Sequence, residues 1–466
     1  MNAHWRERSL RAVWHPCTQM KLHEGADGVP GVPLIAVARA EGVWLHDHEG
    51  GRTLDGISSW WVNLFGHNHP AIREALVDQL GRLDHVMLAG FTHAPVVELS
   101  ERLGALTGLG HAFYASDGAS ATEIALKMSA HFWRNAGQPA KCRYVGIAGG
   151  YHGETVGALA VTDIAIFRDA YAPLLHLAAT APSPDARAAL PGERAVDVAE
   201  RAAQSLGGWL AEHHDTTAAV IAEPLIQCAT GMAMHDPHYL RRLRALCDQY
   251  QVHLVLDEIA VGFGRTGTLF AHQQAGIRPD FLCLSKGLTG GTLALSAVLT
   301  TDDVYAAFYD DRVARGFLHS HSYTGNPLAC RAALATLDLF EREDVLARNH
   351  ATAATLSAQF APLTSHPRVR HARQRGMVWA WDIADARPDF ARRYSRHALA
   401  HGVLLRPIGS TLYAMPPYAI DADSGAFLAE RALAALESTL AEEATLPPWA
   451  EPVASAATAT GAIDAV

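Results

Sequence analysis

Cysteine is sparse and unpatterned in this chain. Its six cysteines, at positions 17, 142, 228, 247, 283 and 330, include no C-x-x-C pair, which argues against both a zinc knuckle and a disulfide frame. They read as reduced thiols, with Cys283 in the core. Long apolar runs are missing too: nowhere do about 18 apolar residues follow one another, as a membrane-spanning helix would need. The first twenty residues carry Arg6, Arg8 and Arg11 but not the apolar segment of a signal peptide, so the expectation is a cytoplasmic protein. Basic charge is short as well. Lys and Arg total 38 against 48 Asp and Glu, a formal charge of −10, and without a basic stripe this speaks against a nucleic-acid surface.

What the chain does have is a globular composition, 49% hydrophobic and 18% charged over 466 residues. That length exceeds one ordinary core and suits a large domain with a smaller one. Histidine is abundant at 26, with close pairs at His67/His69, His213/His214 and His319/His321. None of them pairs at i, i+4 with an acid as in metal-activated hydrolases, so no metal is expected.

Taken in order, residues 1–20 show no periodicity and predict an irregular arm. Short strands follow at 34–39, 43–46 and 53–54, then Ser58-Ser59-Trp60-Trp61, where the two rings either fill core or wall a pocket. Helical spacing runs from Pro70 to about 83 and from Pro95 to about 106. Strands predicted at 112–115, 143–147, 218–222, 252–256 and 281–284 alternate with helices at 121–133 and 237–250, the pattern of a doubly wound α/β sheet. After helix 328–340 comes a second α+β unit, with strands at 378–382, 403–405 and 412–415 and helices at 389–401 and 424–440. The last stretch, from about 446, is rich in Ala, Pro and Thr and is expected to be disordered.

The stretch 252–291 carries the chemistry. One apolar run ends on Asp257-Glu258 and the next ends on Ser285-Lys286, 29 positions beyond Asp257. In a parallel α/β sheet both groups lie at the carboxyl edge, where ligands bind. A lysine that closes a buried strand is pushed toward its neutral form. A neutral amine is the nucleophile that condenses with an aldehyde, and pyridoxal phosphate is an aldehyde cofactor that also takes a carboxylate against its ring nitrogen. Lys286 and Asp257 suit those two roles. The plainer reading makes Asp257 a turn cap and Lys286 a snorkelling side chain. The same stretch contains Gly262, Gly264 and Gly267, spaced G-x-G-x-x-G as in a dinucleotide-binding NAD oxidoreductase. Five residues separate these glycines from the strand, whereas that fingerprint follows its strand at once.

Two further turns fit a flat phosphorylated ligand. Ser116-Asp117-Gly118-Ala119-Ser120 opens a helix, where unpaired N–H groups and the dipole attract phosphate, or where Asp117 simply caps. Gly149-Gly150-Tyr151-His152-Gly153-Glu154 brings an aromatic ring off the sheet edge beside glycines that permit close approach.

In this order the motifs resemble the class III pyridoxal-phosphate aminotransferases over nearly the whole chain except the tail. The resemblance implies fold type I: a large domain with a mainly parallel sheet, and a smaller α+β domain built from both chain ends. Its boundaries would be 1–65 for the arm and part of the small domain, 66–335 for the large cofactor domain, 336–445 for the rest of the small domain, and 446–466 for the tail. It places Gly118 and Ala119 at the cofactor phosphate, Tyr151 on the cofactor ring, Asp257 at the pyridinium nitrogen and Lys286 at the covalent link. Ser322 falls where a hydroxyl reaches the phosphate of the neighbouring subunit, which implies a homodimer with active sites at the interface.

Other stretches are similar to the branch of the family that aminates 8-amino-7-oxononanoate in biotin biosynthesis. They are Trp14-His15-Pro16, Ser58-Ser59-Trp60-Trp61, Thr92-His93-Ala94-Pro95, Gly290-Gly291-Thr292, Arg406-Pro407 and Met415-Pro416-Pro417-Tyr418. That resemblance puts Trp60, Trp61, Gly325, Arg406, Tyr413 and Cys17 on the substrate side, with Arg406 on the far carboxylate of the keto acid and Tyr413 helping to position it. S-adenosylmethionine is the implied amino donor, lysine the alternative, and another class III ω-aminotransferase a broader one. The chain departs from the family pattern at Cys17, where an aromatic residue is common, at Ala119 for Ser, at Glu154 for Asp, and at His321-Ser322 for Pro-Thr. Losing the hydroxyl at 119 leaves the backbone N–H for phosphate, whereas Cys17 removes a phenol from the substrate side and bears on the donor.

Overall fold

The structure, a computed structural model, describes residues 1–24 and 31–447. Apart from its first two residues, the tail expected at 446–466 lies outside them. The chain divides into two compact units, each described here by itself. The first comprises Met1–Trp60, Leu64–His69 and the chain from Asn349; the second comprises Trp61–Asn63 and Pro70–Arg348.

The first unit begins with a helix, Asn2–Ala12, where an irregular arm was expected. The helix is carried by ordinary formers (Ala, Arg, Glu, Leu) rather than by an apolar stripe, with Glu7 and Arg11 paired at 3.7 Å one turn apart. Its start is fixed from a distance: the Met1 ammonium and the Asn2 N–H both donate to Glu49 Oε1, at 2.6 and 2.8 Å. Periodicity cannot report a contact of that kind. Strands β1 (Val37–Glu41), β2 (Trp44–Asp47) and β3 (Arg52–Asp55) then form an antiparallel meander. Beyond β3, Ser58, Ser59, Trp60 and Trp61 all have φ between 46° and 73°, one left-handed turn made without glycine. For L-residues that conformation costs roughly 1–2 kcal/mol each.

The second unit is organised on a seven-stranded sheet. Its members are β4 (His111–Ala115), β5 (Arg143–Ile147), β6 (Ala179–Ala181), β7 (Thr217–Ala222), β10 (His253–Asp257), β11 (Phe281–Leu284) and β12 (Ser296–Thr300), with a small hairpin of β8 (Ile226–Gln227) and β9 (Ala233–Met234) beside them. The order is β4-β12-β11-β10-β7-β5-β6. All neighbours are parallel except the two pairs involving β12. Two reversals through β12 leave β4 parallel to the rest, so β4, β5, β7, β10 and β11 end at one edge. Every residue of β7, β10 and β11 is buried, which explains their unbroken apolar spelling, because a strand covered on both faces has no polar side to alternate with. Helix Gly118–Asn135 places Ala121, Ile124, Ala125 and Met128 in the same core as Val255, Phe281, Cys283 and Val298. That spacing is one helical stripe, and each large apolar side chain buried there contributes about 1.5–3 kcal/mol.

The first unit closes with β13 (Val369–Arg375), β14 (Val378–Ile383), β15 (Val403–Leu404) and β16 (Thr411–Ala414). β15 adds to β3 in parallel, while β13, β14 and β16 make a separate antiparallel sheet. Helix Ala422–Glu443 starts on the side chain of Asp421, which accepts from Ser424 N.

Candidate active site

In the second unit the carboxyl edge of the sheet gathers the expected groups. Asp257 is the last residue of β10 and pairs in register with Cys283 of β11, so Lys286 follows just past the end of the adjacent strand. Of the two acids, Asp257 is the one presented at this edge. Its Oδ2 accepts from His152 Nδ1 at 2.8 Å and its Oδ1 from the Ile259 N–H at 3.0 Å. Glu258 is satisfied locally by Ala271 N, His272 N and His272 Nδ1, at 2.6 to 2.8 Å. Lys286 has φ of +43°, and its Nζ stands 4.7 Å from the centroid of the Trp61 ring. Burial holds the Lys286 amine below the usual lysine range, with Cys228, Asp257 and Glu223 acting weakly the other way. A more easily neutralised amine beside an aromatic face is a competent nucleophile.

Two loops meet next to this pair. Asp117 caps helix Gly118–Asn135 by accepting from Ser120 N and Oγ, both at 2.9 Å. The cap therefore leaves the first N–H groups, those of Gly118 and Ala119, without an intrahelical acceptor. Gly153, with φ of +114°, lies so close that a Cβ on it would stand 2.4 Å from Ala119 Cβ and 2.7 Å from Ala119 Cα. Only glycine lets the 149–154 loop reach the helix start. Tyr151 is tied at both ends. Its N–H donates to Glu223 Oε2 at 3.0 Å, and its hydroxyl donates to Glu154 Oε1 at 2.9 Å. Glu223 follows β7 and also accepts from Cys228 N at 3.1 Å. Burial, with Asp257 adding to it against His152, pushes its carboxyl up to about 7.

The remaining expected residues sit as follows. In the second unit, Gly325 has φ of +62°, and a Cβ there would meet Leu88 Cδ1 at 2.5 Å; its carbonyl accepts from His93 Nε2 at 2.8 Å. Ser322 is exposed in the loop before helix Pro327–Arg342. In the first unit, Trp60 is 40% exposed and Arg406 Cζ lies 5.0 Å from its ring centroid. Among the described residues no carboxylate pairs with Arg406. Tyr413 is buried in β16, at 3% exposure. Cys17 is half-buried with φ of +49°.

The glycine trio of the competing dinucleotide motif is used up internally: Gly262 N donates to Glu258 O, Gly264 N to Leu269 O and Gly267 N to Gly264 O. The only helix that follows is the five-residue 3-10 turn Ala271–Ala275, so neither the free amides nor the long helix of that fingerprint is present.

Comparison with known proteins agrees with this geometry. The family described as Aminotransferase class-III matches residues 26–436. The chain belongs to that family. It is 43% identical over 419 residues to a Helicobacter pylori protein named adenosylmethionine-8-amino-7-oxononanoate aminotransferase, covering 88% of this chain and 92% of the relative. A solved structure of a protein with that name from Methanocaldococcus jannaschii superposes with a TM-score of 0.86 at 31% identity, covering 94% of this chain and 99% of its own. The omega transaminase from Pseudomonas jessenii, solved in complex with PMP, gives a TM-score of 0.87 at 26% identity over 94% of this chain and 98% of its own. The chain is thus an aminotransferase of fold type I, a family that depends on pyridoxal phosphate.

The residues at the sheet edge fit that cofactor. The unpaired amides of Gly118 and Ala119 suit a phosphate, the gap kept open by Gly153 admits a flat ring, and Asp257 keeps lone pairs for a ring N–H. His152 Nε2 is buried without a hydrogen-bond partner, a polar atom of the kind a bound group completes. Three contributors were not singled out from sequence. Glu223 stood only as a strand end, His152 only as part of a motif, and Asp55 only as a residue of β3.

Proposed function

We propose that this aminotransferase converts 8-amino-7-oxononanoate to 7,8-diaminononanoate in biotin biosynthesis, using pyridoxal 5'-phosphate and S-adenosylmethionine, as a cytoplasmic homodimer. The observation that carries the acceptor is the Arg406 guanidinium, stacked on Trp60 without a carboxylate of its own. A keto acid with a remote carboxylate supplies the missing partner, and a planar guanidinium takes it through two hydrogen bonds. The names of the relatives point to the same acceptor.

When bound, the cofactor supplies an aldehyde that condenses with amines and a ring that withdraws electrons from the substrate α-carbon. Gly118 and Ala119 hold its phosphate through their N–H groups, with Ser322 contributed across the dimer. Tyr151 stacks on its ring. Asp257, oriented by His152, accepts the ring N–H and keeps it protonated. Lys286 gives the nucleophilic Nζ and, once displaced by the donor amine, takes the α-proton and returns it as general base and acid. The two half-reactions run in turn on one site, donor first.

For the donor, the aromatic faces of Trp60, Trp61 and Tyr151 suit a sulfonium beside a flat adenine. Lysine would need an acid for its distal ammonium. The one candidate among the site motifs, Glu154, already accepts from the Tyr151 hydroxyl. Single-turnover mixing of cofactor-loaded protein with each donor separately tests this. Loss of the cofactor's absorption band with S-adenosylmethionine is expected. Loss with lysine at concentrations where S-adenosylmethionine does nothing overturns the donor.

A further inference from the structure

The left-handed turn Ser58-Ser59-Trp60-Trp61 is not explained by packing alone. L-residues enter this region singly and at a cost, yet here four do so in succession, with φ of 54°, 46°, 71° and 73°. A strained conformation persists only where its surroundings over-determine it, and such places cluster at functional sites. The group that over-determines this one is Asp55, the last residue of β3, which is fully buried. Its Oδ1 accepts from Ser59 N at 2.8 Å and from Ile57 N at 3.3 Å. Its Oδ2 accepts from Ser59 Oγ at 2.7 Å and from His67 Nε2 at 2.9 Å. Ser58 Oγ adds a bond of 2.7 Å to the Met415 carbonyl. The carboxylate thus spends its hydrogen-bonding capacity on the turn and on the histidine beyond it. What the turn carries is Trp60, an indole left 40% exposed with Arg406 Cζ 5.0 Å from its centroid.

We propose that Asp55 is the positioning residue of the Trp60–Arg406 pair. Its carboxylate, held by His67, fixes the turn, and the turn fixes the ring against which the guanidinium lies flat. Arginine has several rotatable bonds, so an unsupported guanidinium loses conformational freedom whenever it grips a carboxylate. A guanidinium already laid on a fixed ring loses less and binds more tightly. The ligand served is a substrate with a carboxylate remote from its reacting carbonyl. That identity rests on the acceptor reading given above. The positioning itself does not.

The test uses Asp55→Asn, which keeps the shape but exchanges an acceptor oxygen for a donor, with His67→Gln as a milder second variant that leaves the carboxylate in place. Acrylamide quenching of Trp60 is read as the difference between each protein and its Trp60→Phe counterpart, with and without cofactor. Both variants should raise Trp60 quenching, and Asp55→Asn should raise the acceptor KM about tenfold with the donor half-reaction unchanged. Introduced into Trp60→Phe, Asp55→Asn should add little further loss in acceptor binding, because residues acting through one contact are not additive. Unaltered Trp60 quenching in folded variants, or losses that multiply, would overturn the proposal. Where Asp55→Asn does not fold, the same two outcomes are read on His67→Gln. If Arg406→Ala leaves the acceptor unaffected while Trp60 quenching still responds to residue 55, the acceptor reading fails and the positioning role stands.

Discussion

His152 Nδ1 donates to Asp257 Oδ2 across 2.8 Å, with both side chains buried. The bond fixes the tautomer of the imidazole and the rotamer of the carboxylate together, so Asp257 faces the site in one orientation. Asp257→Asn keeps the shape and loses the charge. Charge-assisted hydrogen bonds contribute roughly 1.5–3 kcal/mol, so turnover should fall by at least about 10- to 100-fold, and by more where the ring's electron withdrawal limits the rate. Pre-steady-state measurement of the proton-transfer step checks this. Near wild-type turnover would remove Asp257 from the role.

Gly153→Ala should release the cofactor without unfolding the protein. The new Cβ would meet Ala119 at 2.4 Å, and the residue has φ of +114°. Strain of that kind costs about 1–3 kcal/mol, or roughly 10- to 100-fold in cofactor affinity. Equilibrium dialysis of the cofactor reads it directly, and an unchanged affinity would mean that the two loops do not form the phosphate cradle.

Glu223 gives a pH signature. Its folded value, pushed up to about 7 from an ordinary 4.5, means that the folded protein holds this proton more tightly than the unfolded chain. The contribution is fully present below about pH 4.5 and is lost as pH rises through about 7, a change of about 3 kcal/mol. Glu223→Gln should therefore gain Tm relative to the parent as pH is raised from 5 to 8 in cofactor-free protein. A Tm difference that stays constant across that range would contradict it.

Arg406→Ala should weaken the acceptor by about 10- to 100-fold, the worth of a charge-assisted pair, and leave the donor half-reaction alone. Single-turnover kinetics of each half-reaction separate the two. Equal losses in both would place Arg406 in folding or in donor binding.

Lys286 and Asp257 could be read from the sequence because each ends an apolar run too short for a helix, and strand ends in a parallel sheet share an edge. Strands 143–147 and 281–284 match β5 and β11 residue for residue for the same reason: burial on both faces writes itself into composition. Interactions between distant residues were not readable. Asp55 meets His67, Tyr151 meets Glu223, and Gly153 meets Ala119 through folding alone, and no periodicity signals such meetings. Helix Asn2–Ala12 was missed because it lacks an apolar stripe and is tied down by Glu49. The left-handed turn at Ser58–Trp61 was missed because no sequence rule places tryptophan at positive φ.

The assignment of the nucleophile can be tested most directly, because the chain has only four lysines: Lys21, Lys127, Lys141 and Lys286. Lys141 is a real competitor, since burial also holds its amine below the usual range, although it donates to the Gln251 carbonyl and lies 4.2 Å from the Trp133 ring centroid. Borohydride reduction of the cofactor-loaded protein followed by peptide mapping should place the label on Lys286 alone, and Lys286→Ala should abolish both label and turnover, the latter by more than about 10⁴-fold. Label on Lys21, Lys127 or Lys141, or a protein that takes up no label at all, would contradict the account.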